Sequence, residues 1–187
     1  MAIRIFIDQG HNPQNPNAGA EGNGLKEQDI TYAVGQELAR LLRANGNYEV
    51  ALSRNRPDEI LGSSNAESLA QRVRAANAFG ADYFISIHTN ASQYPSAKGS
   101  EAIVYNNQSP AIPLAESILR GLQTATGFPN RGVYSRPTLY VLRRTNMPAV
   151  LVEIGFITNA EEAALMENDP GQFAAGIYNG IRNYFGN

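Results

Sequence analysis

A chain of 187 residues, 43% hydrophobic and 17% charged, is long enough for one well-cored domain, short for two, and unlike disordered or coiled-coil sequences. A net charge of -2 without any Lys/Arg run excludes the electrostatic footprint of a nucleic-acid binder. The absence of cysteine excludes a disulfide framework and a thiolate metal site, so any metal must be held by His and carboxylate.

The first apolar run, Ile3 to Asp8, reads as a strand; it is too short for the apolar core of a signal peptide. No run of ~20 apolar residues follows, so no membrane insertion is expected. Asn12 to Gly24, rich in Asn, Gly and Pro, is a loop directly after His11. The spacing of Ile30, Ala33, Val34, Leu38, Leu41 and Leu42 predicts a helix over Glu27 to Asn45, stopped by Gly46. A strand over Tyr48 to Ser53 leads into a second loop, Arg54 to Ser63. Ser64 and Glu67 stand at capping-box spacing before a helix from about Ala66 to Phe79.

Strands are predicted next at Tyr83 to His88 and Glu101 to Tyr105, then a helix over Ala111 to Thr126 between Pro110 and Gly127. Arg131 to Pro137 reads as irregular, Leu139 to Leu142 as a fifth strand and Ala149 to Glu153 as a sixth. Thr158 and Glu161 repeat the capping-box spacing before a short helix to Asn168, and Pro170 opens a last helix to Tyr184. Most strands are continuously apolar, as expected when both faces are covered. The expectation is an α/β fold of one domain, residues 1–187, with three layers: a mainly parallel twisted sheet of about six strands with helices on both faces.

Both histidines of the chain, His11 and His88, follow short apolar runs (IRIFIDQGH and YFISIHTN), and AVLVEIGF carries Glu153 at the matching place. Open α/β sheets bind ligands outside the carboxyl ends of their strands, so this trio points to a metal-assisted site. A catalytic zinc keeps three protein ligands and one open position. His11 and His88 supply two, and Glu27, at the start of the first long helix, is a choice for the third. The same residue is equally read as compensation of the helix dipole in its first turn. Each histidine taken singly also reads as a hydrogen-bonded loop residue, with Asp8 holding the His11 ring or capping the loop. Glu153 most needs a functional reason. A carboxylate at the end of AVLV is costly to desolvate unless paired or neutral, and partial burial would raise its pKa toward that of a general base.

Further pieces fall in a fixed order along the chain: IDQGH (Ile7 to His11), AGAEGNGLKEQD (Ala18 to Asp29), Ser53 and Arg54, Arg72 with Ala76 and Asn77, the FISIHTNA stretch within Ala81 to Ala91, GSEAIVY (Gly99 to Tyr105), NRGV (Asn130 to Val133) and LYVLRRTNMPAVLVEIGFITNAEE (Leu139 to Glu162). Together they resemble the zinc-dependent N-acetylmuramoyl-L-alanine amidases of the amidase 3 family. That resemblance implies one Zn2+ per chain held by His11, Glu27 and His88, and Glu153 as the catalytic glutamate. It also implies hydrolysis of the amide between N-acetylmuramic acid and L-alanine in peptidoglycan, whose glycan strands and stem peptides would be the partners. The chain departs from the family's usual DPGHGG at Asp8-Gln9-Gly10-His11-Asn12-Pro13, so the loop after His11 takes another path.

The resemblance assigns no substrate-binding residue. Asn90, Arg54 and Arg131 lie on the expected side, but an arginine on a loop is more often simply solvated. Asn106 to Arg131 has room for one helix and no plug over the site, so the isolated domain is expected to be active. A zinc peptidase acting on stem peptides and a non-catalytic wall-binding module are the competing readings. The expected place of action is extracellular or in the cell wall, or the periplasm of a Gram-negative cell. With no signal peptide, a monomeric domain excised from a larger autolysin, or a phage lysin, is expected.

Overall fold

The structure is a computed structural model and describes residues 2–187. Eight strands and six helices follow in the order β1 (Ile3–Gln9), β2 (Glu21–Gly22), β3 (Leu25–Lys26), α1 (Glu27–Asn45), β4 (Tyr48–Leu52), α2 (Asn65–Phe79), β5 (Tyr83–Asn90), β6 (Ser100–Val104), α3 (Ile112–Thr126), β7 (Asn130–Ser135), α4 (Tyr140–Arg144), β8 (Ala149–Phe156), α5 (Ala160–Asn168) and α6 (Pro170–Phe185). Six strands form one sheet in the order β4-β1-β5-β8-β6-β7, and β2 and β3 make a separate two-stranded hairpin. Neighbours in the large sheet are parallel except β6 and β8.

Helices cover both faces, as the continuous apolar runs require. One face carries Ile5, Ile7, Ile85, Ile87, Val150 and Val152 against α1, α3 and α6; the other carries Phe6, Phe84, Ile103 and Leu151 against α2 and α4. Where α3 crosses α6 the backbones come close. A Cβ on Gly180 would lie 2.4 Å from the Ile118 Cα, and one on Gly121 would lie 2.2 Å from the Gly176 carbonyl oxygen. Ser117 Oγ donates to the Gly180 carbonyl at 2.8 Å, a bond open only at this spacing.

The caps are local. Ser64 accepts from the Glu67 amide and Asp169 from that of Gln172, while α1, α2, α3 and α6 each end on a left-handed glycine. The cap of α5 is Asn159, which accepts from the amides of Glu161 and Glu162, and not Thr158, one residue too early.

Besides the β2–β3 hairpin, whose first strand falls in the Asn12 to Gly24 stretch expected to be a loop, two elements differ from expectation. Leu139 to Leu142 is not a strand: residues from Tyr140 form α4, which buries Val141 and Leu142 against the sheet. A four-residue apolar run fits a buried helical turn as well as a strand, and length alone misleads. The fifth strand of the sheet is instead β7, all but its first residue within the stretch read as irregular. It is an edge strand with exposed Asn130, Arg131 and Tyr134, so no apolar run marks it.

The α3–α6 seam is testable. Gly180→Ala forces the two backbones apart and is expected to destabilise the protein by about 1–3 kcal/mol, lowering the thermal midpoint by several degrees. Gly127→Ala, where an added Cβ meets nothing within 4 Å, bears only the smaller strain of its positive φ. Differential scanning calorimetry of the two variants checks the order.

Candidate metal centre

Register and side-chain alternation build the site. Phe6 pairs with Phe84 and Phe84 with Ala149; one step on, Asp8 pairs with Ser86 and Ser86 with Leu151; one step further, His88 pairs with Glu153 and Glu153 with Glu101. Residues two apart on a strand share a face, so these rows stack on the α2/α4 side of the sheet. They run from apolar at the base to ionisable at the carboxyl ends of β5 and β8.

His11 follows β1 after Gly10, whose bare α-carbon makes room for the His88 ring: a Cβ there would lie 2.6 Å from His88 Cε1. His11 itself takes φ +67°, a left-handed conformation that costs a residue with a Cβ about 1–2 kcal/mol. The loop after it folds back over the start of α1. Glu27 opens that helix, its amide donates to the Ala20 carbonyl, and its carboxylate returns the bond by accepting from the Ala20 amide at 2.8 Å. Gly19 permits the approach, since a Cβ there would sit 2.8 Å from the Glu27 carboxylate.

One oxygen of Glu27 lies 3.2 Å from His11 Nε2; the other lies 3.0 Å from His88 Nδ1 and accepts from the Thr89 amide at 3.0 Å. One donor atom from each of the three residues falls within 4.8 Å of the others. The two imidazole rings stand edge to face, 4.9 Å between centroids. Burial works against the charge of Glu27, but its bonds to the two histidines hold its carboxyl far below the usual range. Burial likewise disfavours charge on His88, yet the facing Glu27 and Glu153 raise its pKa. Two imidazole nitrogens and one fixed anionic oxygen, converging from three elements, fit a small divalent cation, and this donor set suits zinc.

Glu153 lies beside His88 and is not one of the three. Its Oε2 is buried and has no hydrogen-bond partner among the described residues. Burial, with the Glu27 and Glu101 carboxylates nearby, pushes its pKa up to about 7 against the opposing pull of His88 and Arg136. Glu101 is otherwise engaged, accepting from Asn90 Nδ2 and Arg131 Nε at 3.0 Å each. Beside the histidine rings, between α2 and α4, lies a cavity of about 120 Å3 with Leu69, Leu139, Val141 and Leu151 in its wall. A larger groove of about 390 Å3 lies away from these residues, between α3 and the β6–β7 edge.

The sequence reading thus finds His11, Glu27, His88 and Glu153 in one place. Arg54 is fully buried, with Nη2 donating to the Gln28 carbonyl at 2.7 Å, and is not a solvated loop arginine. Asp8 makes no hydrogen bond to His11 among the described residues. It accepts from Ser86 Oγ and forms a buried ion pair with Arg72, each at 2.7 Å. Arg72 has no periodic signal in the sequence beyond a place on α2, and its burial could not be read there. Departures at Gln9 and Asn12 are accommodated: Gln9 rests on Gly35 and accepts from the Arg54 amide, while Asn12 bonds both the carbonyl and the amide of Leu61.

A family model described as N-acetylmuramoyl-L-alanine amidase matches residues 5–183. The N-acetylmuramoyl-L-alanine amidase LytC of Bacillus subtilis is 36% identical over 185 residues, which cover 97% of this chain and 35% of LytC. The endolysin of Bacillus phage SPP1 is 35% identical, with 90% of this chain and 60% of the endolysin covered. The chain therefore spans about a third of LytC and three fifths of the phage protein. The catalytic domain of the amidase CwlV from Bacillus (Paenibacillus) polymyxa superposes with a TM-score of 0.84 at 32% identity, covering 98% of both chains.

The Asp8–Arg72 pair yields a stability test. Burial raises the Asp8 pKa, but the Arg72 guanidinium and the Ser86 hydroxyl outweigh it and hold the carboxyl below its usual value. The stabilisation is present above the unfolded pKa of about 3.9 and is lost as pH falls through the lower folded value. Asp8→Asn leaves a buried guanidinium unpaired and is expected to cost about 3–5 kcal/mol at neutral pH. In denaturant titrations the gap from wild type should stay level between pH 6 and 8 and narrow below pH 4.

Proposed function

The chain belongs to the N-acetylmuramoyl-L-alanine amidases of the amidase 3 family, and from that premise we propose that it hydrolyses the amide between N-acetylmuramic acid and L-alanine in peptidoglycan, with His11, Glu27 and His88 holding one zinc ion and Glu153 as general base. Bound there, Zn2+ supplies a Lewis-acidic centre that acidifies a water and polarises a carbonyl. The observation that carries the reading is the unpartnered Glu153 oxygen beside the converged His11, Glu27 and His88 donors.

The chain's own residues divide the work. Glu27 stays ionised and, through the amides of Ala20 and Thr89, cannot swing away from the histidines. Glu153, poised near neutrality by its burial, accepts a proton from the attacking water on its free oxygen. The same oxygen returns that proton to the alanine nitrogen as the C–N bond breaks, without which an amine leaves poorly. The substrate enters over the carboxyl ends of β5 and β8, where loops 12–24 and 54–63 form a wall.

Residues 1–187 act as one catalytic domain and as a monomer, outside the cytoplasmic membrane or in the wall, whether within a larger autolysin or a phage lysin. No helix among the described residues is long and apolar enough to cross a membrane. The helix α3, which lies within the stretch Asn106 to Arg131, packs on α6 away from the histidines, and the isolated domain is expected to be active without an activator.

Digestion of purified peptidoglycan with and without a chelator tests the reading. New alanine amino termini and peptide-free glycan strands, lost on chelation and restored by zinc, are expected. Cleavage within stem peptides would make the protein a peptidase, and binding without cleavage would make it a wall-binding module. Glu153→Gln should keep zinc, measured by metal analysis, while kcat falls about 100- to 10,000-fold, the usual contribution of a general base. His88→Ala should instead lose the metal.

A further inference from the structure

We propose that Arg72 is a positioning residue for the metal centre: its guanidinium fixes the turn that carries His11 and thereby sets the affinity of the site for zinc. The inference rests on the assignment of His11 as a ligand.

Arg72 projects from α2 and is 1% exposed. Nη1 donates to the Gln9 carbonyl and to Asp8 Oδ1; Nη2 donates to the His11 carbonyl and to Asn12 Oδ1. The two carbonyls flank Gly10 and His11. Peptide units are rigid planes, so only the φ and ψ of Gly10 and His11 remain free between two units clamped to one planar group. That is where the backbone takes the left-handed value of +67° at His11, a conformation that residues with a Cβ leave unless they are held. Releasing either carbonyl lets the His11 ring turn from Glu27 and from the His88 ring 4.9 Å away.

The clamp is anchored to the sheet. Asp8 on β1 neutralises the guanidinium and is itself held by Ser86 on β5. Asn12 extends it outward, since its side-chain amide also bonds Pro16 and Leu61 in the two wall loops. Lysine keeps the charge opposite Asp8 but has no planar fork, and it cannot hold two carbonyls at fixed spacing.

Zinc affinity, measured by competition with a chromophoric chelator, and thermal unfolding of the zinc-free protein together test this. Arg72→Lys is expected to unfold cooperatively without metal and to bind zinc about 10- to 100-fold more weakly, the usual effect of removing a group that orients a ligand. Ile118→Ala, in α3 on the far face of the sheet, should lose apo stability with unchanged zinc affinity. If Arg72→Lys does not fold, Asn12→Ala, which removes one partner of the clamp and no charge, is read the same way with a smaller loss. A folded variant that binds zinc as tightly as wild type overturns the proposal, as does an equal loss of affinity in Ile118→Ala. A wild-type protein that binds no zinc would instead remove the metal assignment beneath it.

Discussion

The two-residue repeat of the parallel strands governs the chemistry of this molecule. It sends Asp8, Ser86, His88, Leu151 and Glu153 to one face, while Ile7, Ile85, Ile87, Val150 and Val152 fill the other. Parallel pairing then brings the polar ends of β1, β5 and β8 to the same edge. Because both faces are packed, a one-residue slip of β5 would push His88 into the α1–α3–α6 core and Ile87 into the cleft. Register is therefore specified by hydrophobic burial, and the position of the ionisable residues comes with it.

Much of this was legible in the chain because buried parallel strands are written as unbroken apolar runs, each ending at a polar residue. The runs at Ile3, Tyr83 and Ala149 needed nothing else, and the three histidine and glutamate positions followed from them. The edge strand β7 was illegible for the converse reason: half its surface meets water, and Asn130 and Arg131 carry no apolar signal. Leu139 to Leu142 misled because a single buried helical turn and a short strand present the same four residues. At Glu27 local reasoning stopped at two readings, and both describe the same atoms: the carboxylate sits in the first turn of α1 and also faces both histidines.

What no local pattern could carry was the set of contacts between distant segments. The glycines of the α3–α6 seam carry no local signal of their role, because the two backbones they let touch lie far apart in the chain. The buried carboxylates behave alike. Glu27 gathers the amides of Ala20 and Thr89, and Glu162, fully buried, gathers those of Gly99 and Phe156 at 2.6 Å each. Each ties a loop to a strand end at the rim of the cleft, where the ladder hydrogen bonds run out and backbone amides would otherwise lack partners. The rim is thus held in part by charge inside the protein, which makes it stiff and intolerant of substitution.

The sheet also determines how the domain meets its surroundings. β1 begins at Ile3, whose amide donates to Asn47 just before β4, and the last residue, Asn187, accepts from the hydroxyl of Tyr48 at the start of β4. Both ends of the described chain therefore emerge at the amino edge of the parallel strands, a full strand length from the histidines. A tether, a tag or a surface linkage joined at either end leaves the opposite mouth, with both histidines, facing outward and unobstructed.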